Sequence, residues 1–287
     1  MTRLTFVPTL PPDAESTVRR ALDEDLGTSG DITSRAVVPE GTRCGARIEA
    51  REGGVVAGLP VAELAFRTVD RAVRFQTFAG DGDPVTRGEV VARVEGAARS
   101  ILAAERVALN FLTHLSGVAS LTRAFVEACS GTESVVLCTR KTLPGLRGLE
   151  RYAVQAGGGR LHRAGLFDGV LVKDNHVALA GGVGPAVRKA RAGAPHTVRI
   201  EVEVESIGQL DEALAAGADA VLLDNPDLET VKRAVDLVGN RIPLEISGGV
   251  TVDAVREIAG AGPLLISVGR ITHSAPALDL SLEIECP

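Results

Sequence analysis

The chain has no tryptophan, a single tyrosine (Tyr152) and an aromatic content of 3%. Proteins that bind nucleic acid use a basic face and stacking rings; with a formal net charge of -6, this chain is expected to have no nucleic-acid partner. Cysteine is also sparse. Cys44, Cys129, Cys138 and Cys286 are far apart and form no C-x-x-C pair, which argues against a disulfide frame or a zinc site and fits reduced thiols in a cytoplasm. The histidines show no metal-ligand spacing either. No run approaches the roughly 20 apolar residues of a membrane span, and the opening MTRLTFVPTLPPDAEST lacks an apolar core of signal-peptide length. A cytoplasmic protein without a membrane partner is expected. Lysine is the scarcest charged residue: of 31 basic residues only Lys141, Lys173, Lys189 and Lys232 are lysine.

Two of those four lysines lie in one unusual stretch. From Thr139 to Lys173, seven basic residues (Arg140, Lys141, Arg147, Arg151, Arg160, Arg163, Lys173) face only Glu150 and Asp168, a local charge of +5 inside an acidic protein. Such a reversal points to a crevice for a small anion. A compact ammonium kept where arginine is the default points to point-charge or proton-transfer work.

The 287 residues, 45% hydrophobic, suffice for roughly two domains. From about Val135 onward, short β-branched runs alternate with amphipathic helical stretches, as in repeated βα units around a parallel sheet. The strands expected are Val135 to Thr139, Gly169 to Lys173, Val198 to Val204, Ala220 to Asp224, Leu244 to Ser247 and Leu264 to Val268. Six units predict a barrel or an incomplete one; the competing open sheet lacks a dinucleotide fingerprint, because His162 stands where G-x-G-x-x-G needs glycine. The first hundred residues read as a separate α+β module with a helix near Ala14 to Glu24 and a strand near Ala46 to Arg51. A helix from about Ser100 to Ala128 joins the modules, with Gly117 a point of interruption. Arg106 on this helix is either a solvated charge or an interface residue. The expected division is 1–112 for the first domain and 113–287 for the barrel, with the last residues returning to the first domain as a variant.

In parallel βα architectures the ligand sits at the carboxyl ends of the strands. Read in order, those ends carry Arg140 and Lys141, then Lys173, then Glu203, then Asp224, then Ser247-Gly248-Gly249, and finally Ser267-Val268-Gly269. Glycines after the last two strands suit a phosphate, since main-chain N–H groups can approach its oxygens. Glu201, Glu203 and Glu205 share one face of their strand, so Lys141, Lys173 or a metal ion is expected to neutralise them. Glu201 is equally readable as part of a salt-bridge layer. His162 reads equally as a proton carrier facing the ligand or as a hydrogen-bonded structural residue. On residues alone, a Schiff-base enzyme using Lys141 or Lys173 and a non-enzymatic anion-binding protein both stay open.

The segments TRKTLPGLR, GGGRLHRAGLFDGVLVKDNH, EVEVE, LLDNPDLE, EISGGV and ISVGRITHSAPALDLSLEI, with GTSGDITS and ERVALNFLTHLSGVAS nearer the start, resemble those of the quinolinate phosphoribosyltransferase family over nearly the whole chain. The resemblance implies an α/β fold in which an amino-terminal α/β sandwich precedes an incomplete TIM-like α/β barrel. It implies a homodimer or dimer-based oligomer in which Arg106 reaches the partner's site. The implied reaction is Mg²⁺-dependent: quinolinate and phosphoribosyl pyrophosphate give nicotinate mononucleotide, pyrophosphate and carbon dioxide in NAD biosynthesis. By motif, Thr139, Arg140, Lys141, His162, Arg163 and Lys173 would hold the pyridine dicarboxylate and nearby phosphates, with Lys141, Glu203 and Asp224 catalytic. Glu203 and Asp224 would hold the metal near the ribose. Ser247, Gly248 and Gly249 with Ser267, Val268 and Gly269 would take the 5′-phosphate. The chain departs from the commoner pattern at Pro226-Asp227, at Ile246 and at Arg270.

Overall fold

A computed structural model describes residues 9–285; Cys286 lies outside them. In chain order the elements begin with helices α1 (Ala14–Leu26) and α2 (Ile32–Val37), strands β1 (Arg43–Ala50) and β2 (Gly54–Val55), and helix α3 (Leu59–Val69). Strands β3 (Arg74–Thr77), β4 (Pro84–Val85) and β5 (Val90–Ala97) lead into the long helix α4 (Ala98–Ala128). There follow β6 (Val135–Leu137), α5 (Arg147–Ala156), β7 (Val170–Val172), α6 (Asp174–Ala180), α7 (Val183–Gly193), β8 (Ile200–Val204) and α8 (Ile207–Ala215). The chain closes with β9 (Ala220–Asp224), α9 (Leu228–Val238), β10 (Leu244–Ser247), α10 (Val252–Ala259), β11 (Leu265–Ser267), α11 (Arg270–His273) and β12 (Leu280–Glu285).

Two compact units result. The first comprises the described parts of Met1–Arg123, Thr142–Gly158 and Ile271–Pro287, and the second Ala124–Lys141 with Gly159–Arg270. In the first unit β12, β1, β5 and β3 form an antiparallel four-stranded sheet in that order. A boundary at 112/113 assigns 142–158 to the barrel, whereas its contacts place it in the first unit. Leu149, Tyr152 and Val154 are buried, and the Tyr152 hydroxyl donates to Asp81 at 2.6 Å. Asp81 in turn caps α3 by accepting from the N–H groups of Gly58 and Leu59 at 2.6 and 3.1 Å. Burial, reinforced by the Asp81 charge, pushes the Tyr152 phenol far up, so it serves here as a neutral donor.

Helix α4 runs unbroken through Gly117, contrary to the expected interruption. A Cβ at this position would lie 2.0 Å from the carbonyl oxygen of Pro276, so glycine is required there by close backbone approach rather than by a bend. The neighbouring Ser116 and Ser120 hydroxyls satisfy the main chain of Ala57 and Val55. These two serines let a helix bury itself against irregular backbone that would otherwise lose hydrogen bonds.

The second unit is a parallel six-stranded sheet in the order β6-β11-β10-β9-β8-β7. β6 and β7 are consecutive in sequence yet stand at opposite ends of that order, so the barrel is open between them. Arg160 covers the free edge of β6: its N–H donates to Val136 O at 2.8 Å and its carbonyl accepts from Cys138 at 3.1 Å. β6 is shorter than its apolar run because the chain turns at Thr139, whose hydroxyl accepts the Lys141 N–H at 3.0 Å. Val202, Val204, Val221, Leu223, Ile246 and Ile266 are buried, each stabilising the sheet by roughly 1.5–3 kcal/mol. The βα turns are closed by side-chain caps: Ser206 accepts from Gln209, Asp227 from Thr230 and Thr251 from Ala254. The unusual Pro226-Asp227 pair is thus explained at its second residue, which is the N-cap of α9.

Candidate active site

Because all six strands are parallel, their carboxyl ends share one rim, and the second unit carries every residue expected there. Lys173, just past β7, is ion-paired with Glu203 on β8. Asp224 at the end of β9 accepts from the side chain of Asn225 at 2.8 Å. Asn225 is the only non-glycine residue with positive φ among the described residues, at 50°. Its N–H donates to Ser247 O at 2.8 Å, and its side chain packs where a Cβ on Gly248 would sit, 2.1 Å away. Gly248 and Gly249 both have positive φ, 99° and 57°, a turn that glycine adopts without strain and in which no side chain shields the main-chain N–H groups.

Arg163 donates to Gly169 O, just before β7, at 3.0 Å, while its Nε is buried without a hydrogen-bond partner among the described residues. Burial, and next the charge of Arg140, hold Arg163 below the usual guanidinium range. Asp168 and Glu201 act on the same guanidinium in the opposite sense. Lys141 is exposed at the same strand end. Arg106 is exposed on α4, in the first unit.

Three placements differ from the sequence reading. Ser267 is buried and its hydroxyl donates to Glu245 at 2.6 Å, while the Val268 N–H donates to Leu137 O at 3.0 Å. Neither of these two donors is therefore available to a phosphate. Glu201 pairs with His162 rather than with a lysine, at 3.4 Å. Glu245, which the sequence reading passed over, approaches the same ring nitrogen Nε2 at 3.4 Å. A lone acid between Leu244 and Ile246 in an apolar strand was the available signal.

His162, Glu201 and Glu245 present three ligand atoms within 4.8 Å of one another, spacing a metal ion could use. The ring argues otherwise. His162 Nδ1 accepts the Arg163 N–H at 2.6 Å, so the imidazole proton resides on Nε2, where a metal would need a lone pair. The trio is better described as a proton-holding cluster. Burial disfavours charge on His162, but the hydrogen bonds and charges of Glu201 and Glu245 outweigh it and raise its pKa to about 9. Burial likewise raises Glu201. In the neutral ring Nδ1 accepts the Arg163 N–H; the second proton is taken up at Nδ1 and releases that contact.

A group that binds its proton more tightly folded than unfolded contributes stability at low pH. The contribution should be full below about 6.5, the ordinary histidine value, and lost as pH rises through about 9. We expect this cluster to lower stability by on the order of 2 kcal/mol, a few degrees in Tm, between those limits. Thermal melts of the wild type and of His162→Asn at pH 6 and pH 10 check this; an equal pH-dependent loss in both would remove the assignment.

An α/β enzyme with cations, carboxylates and a phosphate-type turn on one rim is the class that this unit defines. Comparison with known proteins makes it specific. Residues 31–116 match the family described as quinolinate phosphoribosyl transferase, N-terminal domain, and residues 118–283 match its C-terminal domain. The chain therefore belongs to the quinolinate phosphoribosyl transferase family, of the phosphoribosyltransferase class of enzymes. It is 44% identical over 262 residues to a Bacillus subtilis protein named probable nicotinate-nucleotide pyrophosphorylase (carboxylating), covering 91% of this chain and 90% of the relative. A Mycobacterium leprae protein of the same activity name is 44% identical over 276 residues, covering 94% and 97%. The crystal structure of NadC from Streptococcus pyogenes superposes with a TM-score of 0.92 at 42% identity, covering 96% and 98%. No helix among the described residues is long and apolar enough to cross a membrane.

Proposed function

We propose that this chain condenses quinolinate with phosphoribosyl pyrophosphate to give nicotinate mononucleotide, pyrophosphate and carbon dioxide, supplying NAD biosynthesis. Beyond family membership, the observation that carries the reading is the charge arrangement of one unit: Lys173 paired with Glu203, Asp224 on the next strand, and half-buried Arg140 and Arg163. A diacid satisfies two such guanidiniums better than a monoacid, and planar forks fix its ring direction. In the reaction the ring nitrogen bonds ribose C1 as the C1–oxygen bond to pyrophosphate breaks. The carbon–carbon bond to the adjacent carboxylate then breaks, its electron pair stays on the ring beside the cationic nitrogen, and a proton replaces the departed carbon dioxide.

The side chains match those charge demands. Glu203 and Asp224, on neighbouring strands, oppose the positive charge that develops on the sugar. Lys141 and Lys173 offset the negative charge of the leaving group, and the Gly248-Gly249 turn takes the 5′-phosphate. Glu203 and Asp224 offer hard carboxylate oxygens of the kind Mg²⁺ accepts alongside substrate phosphates, so these two would hold the ion. Bound there, Mg²⁺ would supply charge neutralisation of pyrophosphate. Arg106, exposed on α4, is proposed to be contributed across a homodimer.

Carboxyl-labelled quinolinate tests the proposal. Labelled carbon dioxide should appear only when phosphoribosyl pyrophosphate is present, and should stop on chelation of Mg²⁺. No turnover in the presence of Mg²⁺, or equal nucleotide formation from nicotinate, would overturn it.

A further inference from the structure

The cations above are placed by their own strand ends, but the Arg163 main chain is held by something less obvious. Its N–H donates to Nδ1 of His162 at 2.6 Å, and the His162 ring is oriented from its other nitrogen by Glu201 and Glu245. Glu245 is 2% exposed and divides its two oxygens: Oε1 accepts the Ser267 hydroxyl at 2.6 Å, and Oε2 faces His162. A continuous chain thus runs from Ser267 on β11 through Glu245 on β10 and His162 to Arg163.

We propose that Glu245 is a positioning residue that sets affinity for the pyridine diacid, acting through His162 on Arg163, with Ser267 fixing the rotation of its carboxylate. The inference rests on the proposed activity and deepens it. Glu245 is buried and faces His162, Ser267 and Glu201, so its influence should fall on the ligand of Arg163 rather than on the phosphosugar. Ser267 acts only through Glu245, so its removal should have no further effect once Glu245 is gone. Glutamine can keep both contacts, its carbonyl oxygen accepting from His162 Nε2–H and its amide donating to the Ser267 oxygen. Leucine keeps the bulk and loses both.

In steady-state kinetics on the full chain, Glu245→Leu should raise KM for quinolinate about 10-fold or more, with KM for phosphoribosyl pyrophosphate changed less than about 3-fold. Glu245→Gln should stay within about 3-fold of wild type on both, and Glu245→Leu with Ser267→Ala should match Glu245→Leu alone. Independently of turnover, nitrogen NMR of the His162 ring at pH 10, where the ring is neutral, should show an unprotonated Nδ1 in wild type and Glu245→Gln, and loss of that signature in Glu245→Leu. Equal rises in both KM values, an unchanged KM for quinolinate, a glutamine variant as impaired as leucine, or an unchanged ring signature would each overturn the proposal. A wild-type protein that does not turn over quinolinate while His162 responds as described would remove the activity and leave the positioning role standing.

Discussion

Arg163→Ala is expected to lower kcat/KM by about 10³-fold, roughly 4 kcal/mol of transition-state stabilisation, while the protein stays folded. The guanidinium contributes one hydrogen bond to the fold, to Gly169 O, and its charge is repelled by Arg140. Its removal relieves that repulsion but gives up the attraction of Asp168 and Glu201 along with the contact, so Tm should move by only a few degrees. Lys141→Ala, at an exposed position, should likewise keep its fold and lose about 10²-fold. Circular dichroism, thermal melts and kinetics on both variants check the pair of expectations. Wild-type turnover in both would remove these residues from the site, and unfolding of either would return it to the scaffold.

Gly117→Val should have the largest effect on stability, at least about 3 kcal/mol and on the order of 10 °C in Tm. The added side chain would begin 2.0 Å from Pro276 O and 3.0 Å from Ala277 Cα, and backbone cannot rotate aside as a flexible side chain can. The segment it would displace leads into β12, which pairs with β1 over residues 280–285, so the strain falls on the sheet of the first unit. Gly117→Ala should show a smaller loss in the same direction. A helix-propensity view predicts the reverse, a gain of up to about 1 kcal/mol from replacing glycine inside a helix. Denaturant melts separate the two, and a stabilised alanine variant would contradict the close approach.

Much of the second unit was legible in order and kind. Strands β9 and β10 fall where the apolar periods place them, because each βα repeat is a local pattern with its own cap. The strand-end chemistry was legible for the same reason: a parallel sheet converts sequence position into a place on one rim. What failed locally depended on non-local neighbours. Gly117 looked like a helix breaker because nothing in its window announces Pro276. Segment 142–158 looked like part of the barrel because its ties, Tyr152 to Asp81 and Glu150 to His114 at 2.9 Å, span 71 and 36 residues.

Ser267 carries the same lesson. By motif it belongs to a phosphate turn, but strand alternation directs its hydroxyl at Glu245, two strand positions before the turn on the neighbouring strand. The amino-acid sequence by itself determined the βα repeat, the polarity of the rim and the family, since these rest on periodicity and residue type. The tertiary structure alone decided which donors remain available there. Hydrogen bonds between residues far apart in the chain, as from Val268 to Leu137 and from Ser267 to Glu245, saturate groups that no local pattern can mark as occupied.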